Sequence, residues 1–149
     1  NQEGHFVWCE NLKKRTGPMT IIAHKLEDIS SNILINPILE EKMLKIINNG
    51  DTCIVPYTEN FISKLIVDQG KIGFRIPQHA FLNVLLSNYN NLITSTSVNI
   101  SGTPPLNDPD LIEKEFGNEI DLLLDAGTLQ NNNPSKIYIF EHNTISQIR

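Results

Sequence analysis

Between Asn36 and Gly50, apolar residues fall at Leu39, Met43 and Ile46-Ile47, three or four positions apart, as one buried helix face requires. Asn36 can cap that helix and Pro37 suits its first turn, while Asn49-Gly50 ends it. The spacing therefore predicts a helix over Ile38 to Ile47. The pairs Phe81/Leu85 and Leu82/Leu86 predict a second helix, packed on a sheet. Asp108-Pro109 starts a third through Phe116, with Asp108 as cap, and Phe6 to Lys14 reads as a short helix broken at Gly17-Pro18. Shorter β-leaning runs predict strands at Met19 to His24, Thr52 to Val55, Phe61 to Val67, Lys71 to Ile76 and Ile93 to Ser97. Ile120 to Leu124, Lys136 to Phe140 and Thr144 to Ile148 read as closing strands.

Strands and helices mixed without regular βαβ alternation predict an α/β or α+β twisted sheet. No internal repeat or Gly/Ser-rich or Pro-rich linker divides the chain, and 149 residues suit one domain with a sizeable core. Hydrophobic residues make up 40% and charged residues 19%, the balance of a soluble globular protein. No apolar run approaches bilayer length and no basic-then-apolar leader opens the chain, so a cytoplasmic protein with no membrane partner is expected. The net charge of −5 argues against a surface built for non-specific nucleic-acid binding, while leaving a local basic site open. Cys9 and Cys53 are far apart, and His5, His24, His79 and His142 are scattered, so idle thiols and no metal centre are expected.

Candidate chemistry gathers in four places. Thr94 to Gly102 holds five hydroxyl side chains and one amide within eight residues, directly after Leu92-Ile93. At a strand end such a loop can donate to a phosphate or carboxylate without being ionised; the same composition also makes an ordinary turn. Arg75 ends an otherwise apolar strand, where it can clamp an anion bidentately or pair with a structural acid. Ser135 follows Pro134 at a strand start, as a ligand donor or a turn residue. Lys13-Lys14-Arg15 is the only basic run, a pattern more often a solvated helix end than a binding site. No P-loop, GxGxxG, nucleophile elbow or pair of catalytic carboxylates is present.

These pieces, in this order, resemble the YrdC-like family, the threonylcarbamoyl-AMP synthases of tRNA modification. Thr96-Ser97-Val98-Asn99-Ile100-Ser101-Gly102 is similar to the family's S/T-S-A-N-x-S-G signature, and Lys13-Lys14-Arg15 to its K-x-R motif before a Pro and a strand. Gly73-Phe74-Arg75-Ile76-Pro77 resembles V-x-R-x-P, Pro134-Ser135 the late P-S-T, and Ile148-Arg149 the closing I-R. The resemblance runs from Lys13 to Arg149. It implies a single-domain α/β fold, a twisted open mixed sheet with flanking helices of YrdC/RibB-like type.

The resemblance also implies roles. Lys13 and Arg15 are the expected catalytic cations, and ATP is expected against Lys13, Arg15, Gly17, Lys71, Ser97, Asn99, Pro105 and Arg149. Arg75, Ser95 and Ser135 are expected to hold L-threonine. The implied reaction joins L-threonine, bicarbonate and ATP, with Mg²⁺ travelling on the nucleotide and no protein metal site. Cations would offset the repulsion between anionic partners, so positioning and charge stabilisation need no side-chain nucleophile. Implied partners are a downstream threonylcarbamoyl-transferase complex and a tRNA or RNA contact.

The chain departs from the family pattern in several places. Nothing matches the opening P-T-x-T-x-Y-G-L strand and turn, so residues 1–149 are expected to be a YrdC-like domain lacking that element. Arg15 lies two residues closer to Pro18 than usual, Ile22 replaces a common His, Val98 replaces Ala, and P-G-P-x-T is reduced to Asn49-Gly50-Asp51-Thr52. Two further readings therefore stand beside the synthase: a non-catalytic RNA-binding or assembly module, and a relative forming carbamoyl-AMP.

Overall fold

The computed structural model describes residues 19–58, 67–68, 70–89, 92–100, 102–128 and 134–149. They fall into two compact units: a sheet unit within 19–95 and 135–149, and a loop unit within 96–134. In the sheet unit, β1 (Thr20–Ile22), β2 (Thr52–Pro56), β3 (Val67–Asp68), β4 (Lys71–Arg75), β5 (Ile93–Ser95), β6 (Ile137–Glu141) and β7 (Thr144–Gln147) form one mixed sheet. The order is β5-β1-β4-β2-β6-β7, an open path with β3 also paired to β4. β1 with β4 and β2 with β6 run parallel, and the remaining neighbours antiparallel.

The side-chain period of two gives this sheet two unlike faces. Ile21 and Cys53 both pair with Phe74, and Val55 pairs with Ile72; all five are fully buried. Burying each large apolar side chain of that row contributes about 1.5–3 kcal/mol relative to exposure. The cover is α2 (Pro37–Asn48), which packs on β2 and buries Leu39, Met43 and Ile47. Asn36 caps it as expected, its side chain accepting from Ile38 N at 3.0 Å. The short α1 (Glu27–Ser30) buries Ile29 and is entered through Asp28, whose Oδ2 accepts from His24 N and Lys25 N.

Most expected strands and helices appear with small changes of boundary. α3 (Ala80–Tyr89) extends the Phe81 to Leu86 reading at both ends but buries only Leu86, leaving Phe81 and Val84 exposed. The Ile93 strand ends at Ser95 rather than Ser97. Ile120 to Leu124 is not a strand: its alternating Leu122 and Leu124 are 74% and 60% exposed, so the pattern has no buried face to serve. α1 had no periodic signal, being only one turn long. The Phe6 to Lys14 helix and Phe61 to Ile66 lie outside the described residues.

The loop unit contains α4 (Pro109–Phe116), capped by Asp108 as expected, with Phe116 buried. Its loop of 96–100 and 102–108 closes through Leu106 N on Val98 O at 2.8 Å. Among the described residues no helix is long and apolar enough to cross a membrane.

Candidate functional site

The site begins with the half-buried face of the sheet. Register places Ser95, Thr20, Gly73, Ile54 and Ile139 in one row across five strands, and Ile93, Ile22 and Arg75 in the row two residues along. These positions alternate with the buried core row, so Lys71, Gly73 and Arg75 of β4 share the face opposite α2. That face is only half-buried. Gly73 stands in the middle of it, where a strand normally gains from a side chain; a strand-interior glycine marks close approach of a ligand or another backbone. A Cβ there would meet only ordinary contacts, Thr20 Oγ1 at 3.6 Å being the nearest.

Arg75 ends β4 at the edge of this face. On one side Ala23 N donates to Arg75 O at 3.1 Å, extending β1 past its last paired residue. On the other, continuing the Cys53↔Phe74 register sets Thr52 beside Arg75. The start of β6 is fastened to the start of β2: Thr52 N donates to Lys136 O at 2.9 Å, and Lys136 N donates to Asp51 Oδ1 at 2.9 Å. Thr52 Oγ1 and Ser135 Oγ lie 3.1 Å apart. Arg149 Nε donates to Ser135 O at 3.1 Å, fixing a second guanidinium at the same edge.

The electrostatics of Arg75 are unusual. Its Nε is buried without a hydrogen-bond partner, as is Nδ1 of His24 just beyond β1. Burial pushes the Arg75 guanidinium below its ordinary value; the negative charge of Asp51 opposes this and the positive charge of Arg149 adds to it. Among the described residues Arg75 makes no ion pair. Buried donors left unmet are rare, because each costs about 1–3 kcal/mol of desolvation, and they call for a ligand or water.

The expected residues are thus distributed unevenly. Arg75, Ser135 and Arg149 come together at one end of the central strands, with Ser95 on the same face as Arg75 one row away. Lys71 lies at the opposite end of β4, ion-paired with Glu141, whose carboxyl this contact holds below the usual range. Ser97, Asn99 and Pro105 belong to the loop unit. There Asn99 is a scaffold for its own turn, donating to Ile100 O at 3.1 Å and Thr103 O at 2.7 Å while accepting from Ser97 Oγ. Ser97 and Pro105 are exposed. Lys13, Arg15 and Gly17 lie outside the described residues. Sequence reasoning missed Asp51, Thr52 and Gly73 as site residues; the usable signal was a glycine inside an apolar strand pattern. No group of three His, Cys, Asp or Glu side chains able to hold a metal occurs among the described residues.

Comparison with known proteins bears on the family and the fold. The family model Sua5_yciO_yrdC, described as "Telomere recombination", matches residues 10–149. A curated protein of Methanocaldococcus jannaschii, "Putative threonylcarbamoyl-AMP synthase", is 28% identical over 141 residues, covering 93% of this chain and 66% of that protein. The crystal structure of P. abyssi Sua5 complexed with L-threonine gives a TM-score of 0.85 at 19% identity, over 99% of this chain and 44% of its own. E. coli YciO gives 0.84 at 19% identity, over 99% and 73%. The chain thus spans less than half of the Sua5 chain and about two thirds of the curated relative. The solved structures share the open mixed sheet with flanking helices. On a family match that takes in 10–149, the chain belongs to the Sua5/YciO/YrdC family.

Proposed function

We propose that this chain carries the nucleotidyl-transfer domain of an L-threonylcarbamoyladenylate synthase, acting for the t6A modification of tRNA. The α-amine of L-threonine adds to the carbon of bicarbonate with loss of water, giving a carbamate. A carbamate oxygen then bonds to the α-phosphorus of ATP as the α–β phosphoanhydride bond breaks, and pyrophosphate leaves. Arg75 takes the threonine carboxylate in a paired contact, with Ser135 and Ser95 donating to its oxygens. Arg149 offsets the polyphosphate charge, and the family resemblance assigns Lys13, Arg15, Gly17, Lys71, Ser97, Asn99 and Pro105 to the nucleotide as well. Mg²⁺ enters as part of the ATP substrate. The labile product passes to a threonylcarbamoyl transferase that acts on tRNA.

The observation that carries this reading is the buried, unpartnered Nε of Arg75 at the same strand ends as Ser135 and Arg149, on the half-buried face of the sheet. Support comes from the name of the curated relative and from the threonine complex of a structural neighbour. The test is pyrophosphate release in the presence of ATP, Mg²⁺ and bicarbonate, with and without L-threonine. Threonine-dependent release is expected, and Arg75→Ala should weaken threonine binding at least about tenfold while leaving nucleotide binding nearly unchanged. Release that instead requires carbamoyl phosphate, supplied in place of threonine and bicarbonate, would favour carbamoyl-AMP chemistry, and no release with either set of substrates a non-catalytic module.

A further inference from the structure

The edge that holds Arg75 carries a charge the family pattern does not call for. Asp51 stands where the P-G-P-x-T segment is reduced, directly before Thr52. Its Oδ1 is occupied by Lys136 N at 2.9 Å, leaving Oδ2 for a second donor. The carboxylate thus belongs to the same hydrogen-bonded edge as the Thr52–Ser135 contact and the Arg149–Ser135 bond. It reaches Arg75 through this junction: Asp51 holds Lys136, whose neighbour Ser135 meets Thr52, the residue that the register sets beside Arg75; among the described residues Arg75 and Asp51 form no ion pair. Two guanidiniums and one carboxylate, held at strand ends without contact between Arg75 and Asp51, are complementary to a small molecule bearing both charges.

We infer that Asp51 is a specificity-determining residue that receives the α-ammonium group of the amino acid whose carboxylate Arg75 holds. The inference rests on the amino-acid reading of the Arg75 edge. It assigns this site to a zwitterion rather than to any carboxylate, because Asp51 repels a ligand that brings only negative charge. A hydrogen bond from an ammonium to a partly buried carboxylate is among the stronger polar contacts, enough for about tenfold discrimination. The zwitterion is the form that Asp51 selects on entry, ahead of any loss of the ammonium proton.

The experiment compares calorimetric binding of L-threonine with that of 3-hydroxybutyrate, the same skeleton without the amine, to the whole chain and to Asp51→Asn. The amide keeps an acceptor for Lys136 N, so the β2–β6 junction should persist, which thermal melting checks. In the wild-type chain, threonine should bind at least about tenfold more tightly than 3-hydroxybutyrate. In Asp51→Asn the two should come within about twofold, chiefly through loss of threonine affinity, with 3-hydroxybutyrate unchanged or tighter. If Asp51→Asn does not fold, Asp51→Ser serves as the second neutral variant. An unchanged preference in the neutral variant, or equal weakening of both ligands, overturns the assignment while leaving the Arg75 reading intact. Failure of the wild-type chain to bind threonine at all overturns both.

Discussion

Gly73 and Arg75 sit two positions apart on β4 and contribute in opposite ways, one by absence and one by charge. A glycine inside a strand costs about 0.5–1 kcal/mol relative to alanine, and this one has room for a methyl group. Gly73→Ala should therefore hold or raise the melting temperature while weakening threonine binding, as read by melting and calorimetry on the same samples. Stabilisation with full binding would show that no ligand approaches Gly73. Arg75 and Ser135 were legible in the sequence because a charged or hydroxyl residue beside an apolar strand stands out locally. Asp51 and Thr52 were not, since their meaning depends on pairing with residues 83 to 85 positions away. Local pattern holds no record of such a register.

At the scale of elements, local chemistry was the better guide where a cap or a buried face enforced it. Asn36 with Pro37 and Asp108 with Pro109 start helices as read, because each side chain accepts a backbone N–H that would otherwise go unmet. Asn36→Ala should lower stability by about 1 kcal/mol, measured by denaturant unfolding, with threonine affinity unchanged because α2 covers the other face of the sheet. The apolar run misled at Ile120 to Leu124, where no neighbouring strand among the described residues turns it into a ladder. α1 escaped notice for the reverse reason: one turn held by Asp28 and the single buried Ile29 is too short to show a period.

The whole molecule should respond to alkali through its core thiol. Burial pushes Cys53 from the ordinary 9.0 up to about 12, with the charge of Asp51 adding to the effect. The unfolded chain then loses this proton from about pH 9 while the folded chain keeps it, so the native state binds more protons across that window. Stability contributed by the neutral thiol must fall as pH rises from about 9 to about 12, by up to about 1.4 kcal/mol per pH unit. Other groups titrate there too, so the readout is the difference between chains. Unfolding free energy of Cys53→Ala should decline less steeply with pH than that of the natural sequence.

The parallel joining of β2 to β6 has a consequence for how the protein comes into being. Thr52 and Ser135 are 83 residues apart, and closing so long a loop is entropically slow compared with forming helices or hairpins. A partly collapsed chain can already hold α2 and the β3–β4 pairing, yet Ser135 does not reach Thr52 beside Arg75 until β6 zips alongside β2. Recovery of ligand binding during refolding is therefore a clock for the final docking event, and should lag the return of helical circular dichroism.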